Sequence, residues 1–210
     1  MDEIDFNLLK KMVQAAADEI NQHKGHLSEL DAFIGDGDHG TTIARTMEVM
    51  LAAVANGPKD NLKAVLEKIG WEILGVSGGA TGPLFGSLFL GLAEGMTAGE
   101  KINLKALPQM FKRAEERVLK VSGASAGDKT MIDALIPAVD AVIKREGKCD
   151  ICDLLEAAAE AAEKGAESTI NMTAKKGRAK NIAERSLGHK DPGATSLALI
   201  FRGLATGARV

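Results

Sequence analysis

Acidic side chains and glycines are concentrated in residues 33–42, which read FIGDGDHGTT. Asp36 and Asp38 lie two positions apart, and Asp31 precedes them by a few residues. Carboxylates this close repel one another unless a cation or a set of hydrogen-bond donors compensates them, and Mg²⁺ prefers oxygen ligands. The stretch therefore predicts a metal site formed by the three aspartates. An acidic loop that caps a helix is the alternative that this stretch alone leaves open.

The elements that must position these side chains are predicted to be helices. Apolar residues recur with a 3.6-residue period along most of the chain, and no strand pattern competes with it. Aromatic residues are only 3% of the composition and Tyr is absent, which argues against a β-sandwich or barrel. We expect an all-α fold with eight helices, at about 5–23, 40–55, 59–75, 82–97, 103–121, 128–145, 151–172 and 192–207.

The connections between these helices alternate in character. Those after the second, fourth and sixth helices are short turns, and helices joined in this way tend to run antiparallel, as in an up-and-down bundle. The other four connections should then meet at one end of the bundle. Each is rich in glycine and leads into a helix, and they read GHLSELDAFIGDGDHG, GVSGGATGP, SGASAGD and TAKKGRAKNIAERSLGHKDPG.

Several helix N-termini around one cavity predict a phosphate site. Their free backbone N–H groups and the positive ends of their dipoles favour an anion, and glycine lets the anion approach closely. A polyphosphate also needs a divalent cation, so Asp31, Asp36 and Asp38 are expected to hold Mg²⁺ against the phosphates of a nucleotide. His39 is expected to hydrogen-bond a phosphate rather than to bind the metal.

Two of these connections allow more than one interpretation. Residues 75–86 suit a phosphate-binding turn, although a helix cap whose glycines permit close packing is also possible. Residues 123–130, GASAGDKT, superficially resemble a Walker A loop, but Asp128 interrupts the Gly-Lys-Thr order and no strand precedes it. We therefore reject a P-loop and expect Asp128 to be the N-cap of the sixth helix, which leaves Ser122 and Met131 to flank a purine or ribose.

The long connection before the last helix is basic and ends in a second acid-glycine turn, Asp191-Pro192-Gly193. A long polar connection of this kind is more often functional than idle. Most of its lysines and arginines are expected to be solvated surface residues, and Arg178 is the one expected to contact a ligand. His189 is expected to be a structural hydrogen-bonding group rather than a catalytic base.

Composition excludes some other classes of function. The formal net charge of −3 and the pI of about 5.9 give no electrostatic reason to expect nucleic acid or an anionic membrane as a partner. The acidic N-terminus and the lack of a long apolar run argue for a cytoplasmic protein, and the length of 210 residues suits one domain, 1–210. Cys149 and Cys152 form a lone C-x-x-C motif, which we interpret as two thiols in a reducing compartment.

Five motifs in one order carry a resemblance to a known family: ELDAFIGDGDHG, GGATGPLFG, AGDKTMIDA, KKGRA and ERSLGHKDPGATS. Together they closely resemble the nucleotide-binding L subunits of the bacterial dihydroxyacetone kinases, over essentially the full chain. The resemblance implies an antiparallel up-and-down barrel of eight α-helices with a Mg-nucleotide, ADP or ATP, bound at one end.

The resemblance also implies the site residues. Asp31, Asp36 and Asp38 match the ligands of two Mg²⁺ ions. Thr42 stands where the family often has Asn, Thr81 stands where it often has Ser, and the loop around Ser122 differs from the family pattern. The positions that match nucleotide contacts are His39, Gly40, Thr41, Thr42, Ala80, Thr81, Ser122, Met131, Arg178, Asp191, Pro192 and Gly193.

The same resemblance implies that this chain is half of an active site. In the family, dihydroxyacetone is bound by a separate K subunit through a hemiaminal bond to a histidine. In the phosphotransferase-linked systems, the L subunit retains ADP, which a phosphohistidine on a third, M-type subunit rephosphorylates. We expect phosphoryl transfer from Mg-ATP to dihydroxyacetone on the K subunit. An ATP-exchanging kinase for another short ketose, such as erythrulose, and a non-catalytic ADP-binding regulatory subunit are the alternatives.

Overall fold

The structure is a computed structural model that describes residues 1–99 and 101–210, apart from the side chains of Arg178, Asn181, Ile182 and Ala183. The described residues form eight α-helices, which confirms the predicted fold class. Short 3₁₀ helices lie at Leu104–Ala106, Thr169–Asn171 and Arg178–Ser186. The α-helices are α1 (Phe6–Ile34), α2 (His39–Ala55), α3 (Leu62–Leu74), α4 (Thr81–Glu94), α5 (Leu107–Ser122), α6 (Ile132–Lys144), α7 (Ile151–Ser168) and α8 (Pro192–Ala208).

The first helix is longer than the sequence pattern predicted. We expected it to end near residue 23, but α1 continues to Ile34, because Leu27, Leu30 and Ile34 extend its buried face at helical spacing. Gly25 does not break the helix, and nothing lies within 4 Å of the position that a Cβ would take there. Asp31 therefore lies in the last turn of α1 rather than in a loop.

A small antiparallel strand pair accompanies the helices. Glu3–Ile4 (β1) pairs with Ile102–Asn103 (β2), with Ile4 opposite Ile102. The sequence did not predict it, because two residues are too few to show an alternating pattern. Among the described helices, none combines the length and the apolar character that a membrane span requires.

The helices form a closed ring. Each helix packs against the next along the chain, and α8 packs against α1. Glycines permit this closure: a Cβ on Gly203 would lie 2.3 Å from the Cα of Ala16, and one on Gly207 would lie 2.5 Å from the Cα of Met12. The inner faces bury a continuous apolar core that includes Met47, Met50 and Ile69.

The short turns and the chain ends meet at one end of this barrel. The N-terminal ammonium group pairs with Asp150 at 2.8 Å, and the Nζ of Lys11 donates a hydrogen bond to the backbone oxygen of Val210 at 3.1 Å. Backbone bonding also joins Leu62 to Gly99. The four long, glycine-rich connections consequently lie at the other end, as the alternation predicted.

Candidate functional site

A cavity of about 410 Å³ opens at the end of the barrel where the four long connections meet. Its volume lies within the range of small-molecule sites, about 300–1,000 Å³. All four connections contribute to its wall. Of the predicted site residues, those in the wall are Asp31, Asp36, Asp38, His39, Ala80, Thr81, Ser122, Met131, Asp191, Pro192 and Gly193.

Three predicted residues take other positions. Gly40 faces α1, where a Cβ would lie 2.0 Å from the carbonyl oxygen of Lys24. Thr42 is buried beneath Gly78, and its hydroxyl has no hydrogen-bond partner among the described residues. Gly40, Thr41 and Thr42 do not line the cavity, so their contacts with a nucleotide stay predictions. The side chain of Arg178 lies outside the described part of the structure.

The acidic cluster forms where α1 turns into α2. Asp31, Asp36 and Asp38 each offer one carboxylate oxygen, and these oxygens lie within 4.8 Å of one another. Two ligands on opposite sides of a Mg²⁺ ion lie about 4.2 Å apart, given bonds of about 2.1 Å, so oxygens within 4.8 Å of one another need to approach by at most a few tenths of an ångström to share an ion.

Two glycines shape this turn. Gly37 has φ +78°, a left-handed conformation that glycine adopts without strain. A Cβ on Gly35 would lie 2.2 Å from Oδ1 of Asp31, so a side chain at position 35 would displace that carboxylate. The position of Asp31 therefore requires glycine at position 35.

His39 connects the acidic cluster to the last helix. Its backbone N–H donates to Oδ2 of Asp31 at 3.3 Å, and its Nε2 lies 3.0 Å from the hydroxyl of Ser196 on α8. Burial lowers the pKa of His39 below its ordinary value, against the opposing effects of Asp31 and a backbone hydrogen bond with Pro192. The imidazole is held at the edge of the cavity, where burial favours its neutral form.

The connection before α6 differs from the prediction. Asp128 is not the N-cap of α6, which begins at Ile132, and instead accepts a hydrogen bond from the amide of Ser125 at 2.9 Å. Asp133 organises this turn, because its buried carboxylate accepts from the amides of Gly127 and Thr130 at 2.5 and 2.9 Å. The helix starts later than expected because Lys129, with φ +60°, interrupts the helical backbone.

Asp191 is the N-cap of α8 and lies in the wall of the cavity. Its side chain accepts from the amide of Ala194 at 2.7 Å, as an N-cap does. Burial raises the pKa of Asp191 to about 7, while the amides of Ala194 and Gly193 and the charge of Lys129 act in the opposite direction. Asp133 adds to the increase, since its like charge also disfavours ionisation.

Sequence reasoning missed Lys129. The residue is 2% exposed, and its ammonium group donates to the carbonyl oxygens of Thr169, Met172 and His189 at 2.6, 3.1 and 2.5 Å. Burial lowers its pKa, against the charges of Asp191 and Asp133. No local pattern signals this role, because its partners lie 40 to 60 residues away in the chain.

Comparisons with known proteins agree with this architecture. The family model described as DAK2 domain matches residues 33–206. The ADP-binding subunit DhaL of the PEP-dependent dihydroxyacetone kinase of Escherichia coli (strain K12) is 38% identical over 185 residues, which cover 88% of each chain.

Two longer proteins are also similar. D-erythrulose kinase of Mycolicibacterium smegmatis is 30% identical over 94% of this chain and 35% of its own length. The crystal structure of the dihydroxyacetone kinase from C. freundii in complex with AMP-PNP and Mg²⁺ superposes with a TM-score of 0.72 at 29% identity. That superposition covers 95% of this chain and 34% of the kinase, so this chain spans about a third of the longer protein.

Proposed function

Because the chain belongs to the DAK2-domain family, we propose that it is the ADP-binding subunit of a dihydroxyacetone kinase. Residues 1–210 would form a single domain of the L type. The observation that carries the proposal is the cluster of Asp31, Asp36 and Asp38 in the wall of a cavity surrounded by helix N-termini. This arrangement combines ligands for a divalent cation with donors for phosphate, which is what a Mg-nucleotide requires.

Different residues of the cavity would bind different parts of the nucleotide. The three aspartates would hold two Mg²⁺ ions against the phosphates, as the Mg²⁺ and AMP-PNP bound by the C. freundii kinase suggest. When bound, Mg²⁺ neutralises phosphate charge and orients the group in transfer. The amides in the first turns of α2 and α4 would bind phosphate oxygens, since the first turn of a helix leaves its N–H groups without partners within the helix.

The remaining walls suit the other parts of the molecule. Val121, Ala124 and Met131 provide an apolar side that is suited to a purine. His39 lies at the edge of the cavity beside Ser196 and would hydrogen-bond a phosphate oxygen there. With the metal ligands and the phosphate donors already positioned, catalysis would come from orientation and charge neutralisation.

We further propose that the ketose lies on a separate K subunit and that ADP stays bound while a phosphohistidine on an M-type subunit rephosphorylates it. The relative from E. coli supports this, because its name describes an ADP-binding subunit of a PEP-dependent enzyme and it matches this chain along most of its length. A second candidate is the same reaction with erythrulose, which the 30% identity to D-erythrulose kinase favours.

Calorimetric titration with ADP and Mg²⁺ tests the site. Asp36→Asn and Asp38→Asn each remove a charged ligand from an exposed position, so they should abolish Mg-dependent binding and leave the helical circular dichroism unchanged. Asp18→Asn is the matched control, because Asp18 is an exposed aspartate that accepts a hydrogen bond from Gln14 of the same helix. Wild-type affinity in both cluster variants would refute the metal assignment.

A reconstituted assay tests the reaction. The purified chain should not phosphorylate dihydroxyacetone or erythrulose alone, and should do so with a K-type partner. With ADP retained, turnover should require the phosphohistidine protein and phosphoenolpyruvate, whereas ATP after gel filtration should support little more than one turnover. Sustained turnover with ATP would identify an ATP-exchanging kinase, and triose phosphorylation without any partner would refute the division into subunits.

A further inference from the structure

The ammonium group of Lys129 is fully occupied by the protein. A lysine ammonium has three N–H donors, and in Lys129 they bond to three backbone carbonyl oxygens, of Thr169, Met172 and His189. Although Lys129 borders the cavity, no donor remains for a phosphate oxygen. A lysine in a GDKT sequence beside a phosphate site would ordinarily be expected to bind phosphate. The three hydrogen bonds to backbone carbonyl oxygens exclude that role for Lys129.

The three acceptors belong to both ends of one segment. Thr169 is the C-cap of α7, Met172 follows it, and His189 lies two residues before Asp191 at the start of α8. The carbonyl groups at the end of a helix carry partial negative charge, so a buried cation is well placed there. One side chain thus joins the beginning of the segment 169–191 to its end.

Other hydrogen bonds join the same two parts of this segment. The amide of Asp191 donates to Oγ1 of Thr169 at 2.9 Å, and the amide of Gly188 donates to the carbonyl oxygen of Ile170 at 2.9 Å. The amide of Ala174 donates to the hydroxyl of Ser186 at 2.9 Å. These three bonds connect residues 169–174 to residues 186–191, as the ammonium group also does.

The backbone of Lys129 has an uncommon conformation. Its φ of +60° makes it the non-glycine residue with positive φ in the described chain, and a residue other than Gly, Asn or Asp adopts that conformation at a cost. The cost is offset by bonds from a charged donor, each stronger than a bond between neutral groups. Glycine would satisfy the backbone here and would lack the ammonium group.

We propose that Lys129 is a positioning residue, which fixes segment 169–191 and the adjoining turn of α8 as one wall of the cavity, and thereby sets the affinity for nucleotide without contacting it. The statement about affinity rests on the proposed function, and the statement about the segment does not. Asp191, Pro192 and Gly193 lie in that wall, so their position relative to α6 depends on the ammonium group.

Amide hydrogen exchange in the absence of nucleotide tests the first statement. In Lys129→Met, the amides of Ala174, Gly188 and Asp191 should exchange at least about tenfold faster, since losing bonds to a charged group costs about that factor or more. Amides of α3 and α4 should keep their wild-type rates. Lys175→Met is the matched control, because Lys175 joins the same two connections through Gly127 and Asp128. Lys175 is exposed, and an exposed ion pair contributes little to stability, so this substitution should leave all these rates unchanged.

Nucleotide titration tests the second statement. The dissociation constant for ADP with Mg²⁺ should rise at least about tenfold in Lys129→Met, and that for AMP should rise by the same factor, because no phosphate contact is lost. A loss confined to ADP would show that Lys129 contacts the β-phosphate and would overturn the proposal. Unchanged affinity for both nucleotides would overturn it as well.

A second variant covers the case in which Lys129→Met does not fold. Lys129→Gly adopts φ +60° without strain and should show the same selective exchange and the same loss of affinity. Faster exchange throughout the barrel, or wild-type exchange in segment 169–191, would overturn the positioning role. If the wild-type chain bound no nucleotide, the proposed function would fail, while the exchange pattern would still decide whether Lys129 holds the segment.

Discussion

Gly35 offers a test of the metal site that leaves every charged residue in place. In Gly35→Ala, the added Cβ would lie 2.2 Å from Oδ1 and 2.9 Å from Cγ of Asp31. An ordinary van der Waals contact begins at 3.4 Å, so the oxygen must move by 3.4 − 2.2, about 1.2 Å. Mg²⁺ requires near-ideal geometry at about 2.1 Å, so a carboxylate displaced this far no longer binds it.

We expect the affinity for Mg²⁺ in the presence of ADP to fall at least about tenfold, equivalent to about 1.4 kcal/mol, since even the loss of a group that only orients a ligand has such an effect. The measurement is a calorimetric titration with Mg²⁺ at saturating ADP. Asp31→Asn should give a similar loss, because it removes the charge from the same ligand. The circular dichroism of Gly35→Ala should match that of the wild type, because the carboxylate of Asp31 can rotate away from the added Cβ.

The matched control lies in the same helix. At Gly25, nothing lies within 4 Å of an added Cβ, so Gly25→Ala should keep wild-type Mg²⁺ affinity and raise the free energy of unfolding by about 0.5–1 kcal/mol through helix propensity. Wild-type Mg²⁺ affinity in Gly35→Ala would refute the assignment of Asp31 as a ligand. An equal loss in both variants would show that the effect does not arise from the carboxylate.

Three further predictions follow from other parts of the molecule. Gly203→Ala should lower the free energy of unfolding in urea by about 1–3 kcal/mol or more, because its Cβ meets the backbone of Ala16; an unchanged transition would contradict the close approach. Folded Asp191 keeps its proton up to about pH 7 while the unfolded chain releases it near pH 4, so stability should fall as the pH rises between these values. Asp191→Asn, which retains the cap, should flatten that pH dependence. Cys149→Ser with Cys152→Ser should leave ADP affinity unaltered under reducing conditions, because both thiols bond to backbone carbonyls near the far end of the barrel; a large loss would show that they affect the site.

The helical architecture was predictable because its signal is repeated. Each helix carries several turns of apolar period, and the alternation of short and long connections predicted which ends would meet. The acidic cluster was predictable because its three members lie within eight residues of one another. Local sequence contains all the information that these two features need.

What the sequence did not reveal depends on contacts between distant segments. The helical end of α1 at Ile34 is stabilised by burial of Leu27 and Leu30, although the first helix was predicted to end near residue 23. Asp128 appeared to be a helix cap, but the positive φ of Lys129 places it one turn outside the helix. The ammonium of Lys129 finds its acceptors in another connection, and no pattern within the GDKT stretch encodes them.

The closure of the ring between α1 and α8 has a consequence for how the protein folds. Contacts between these helices join residues separated by most of the chain, and the loop that they close is entropically costly to form early. The bond between His39 and Ser196 spans 157 positions and lies in the same seam. During synthesis, α8 leaves the ribosome after the other seven α-helices of the described chain, so the cavity is complete only when α8 packs against α1. Ligand binding therefore requires the complete barrel and is not expected in a partly folded intermediate.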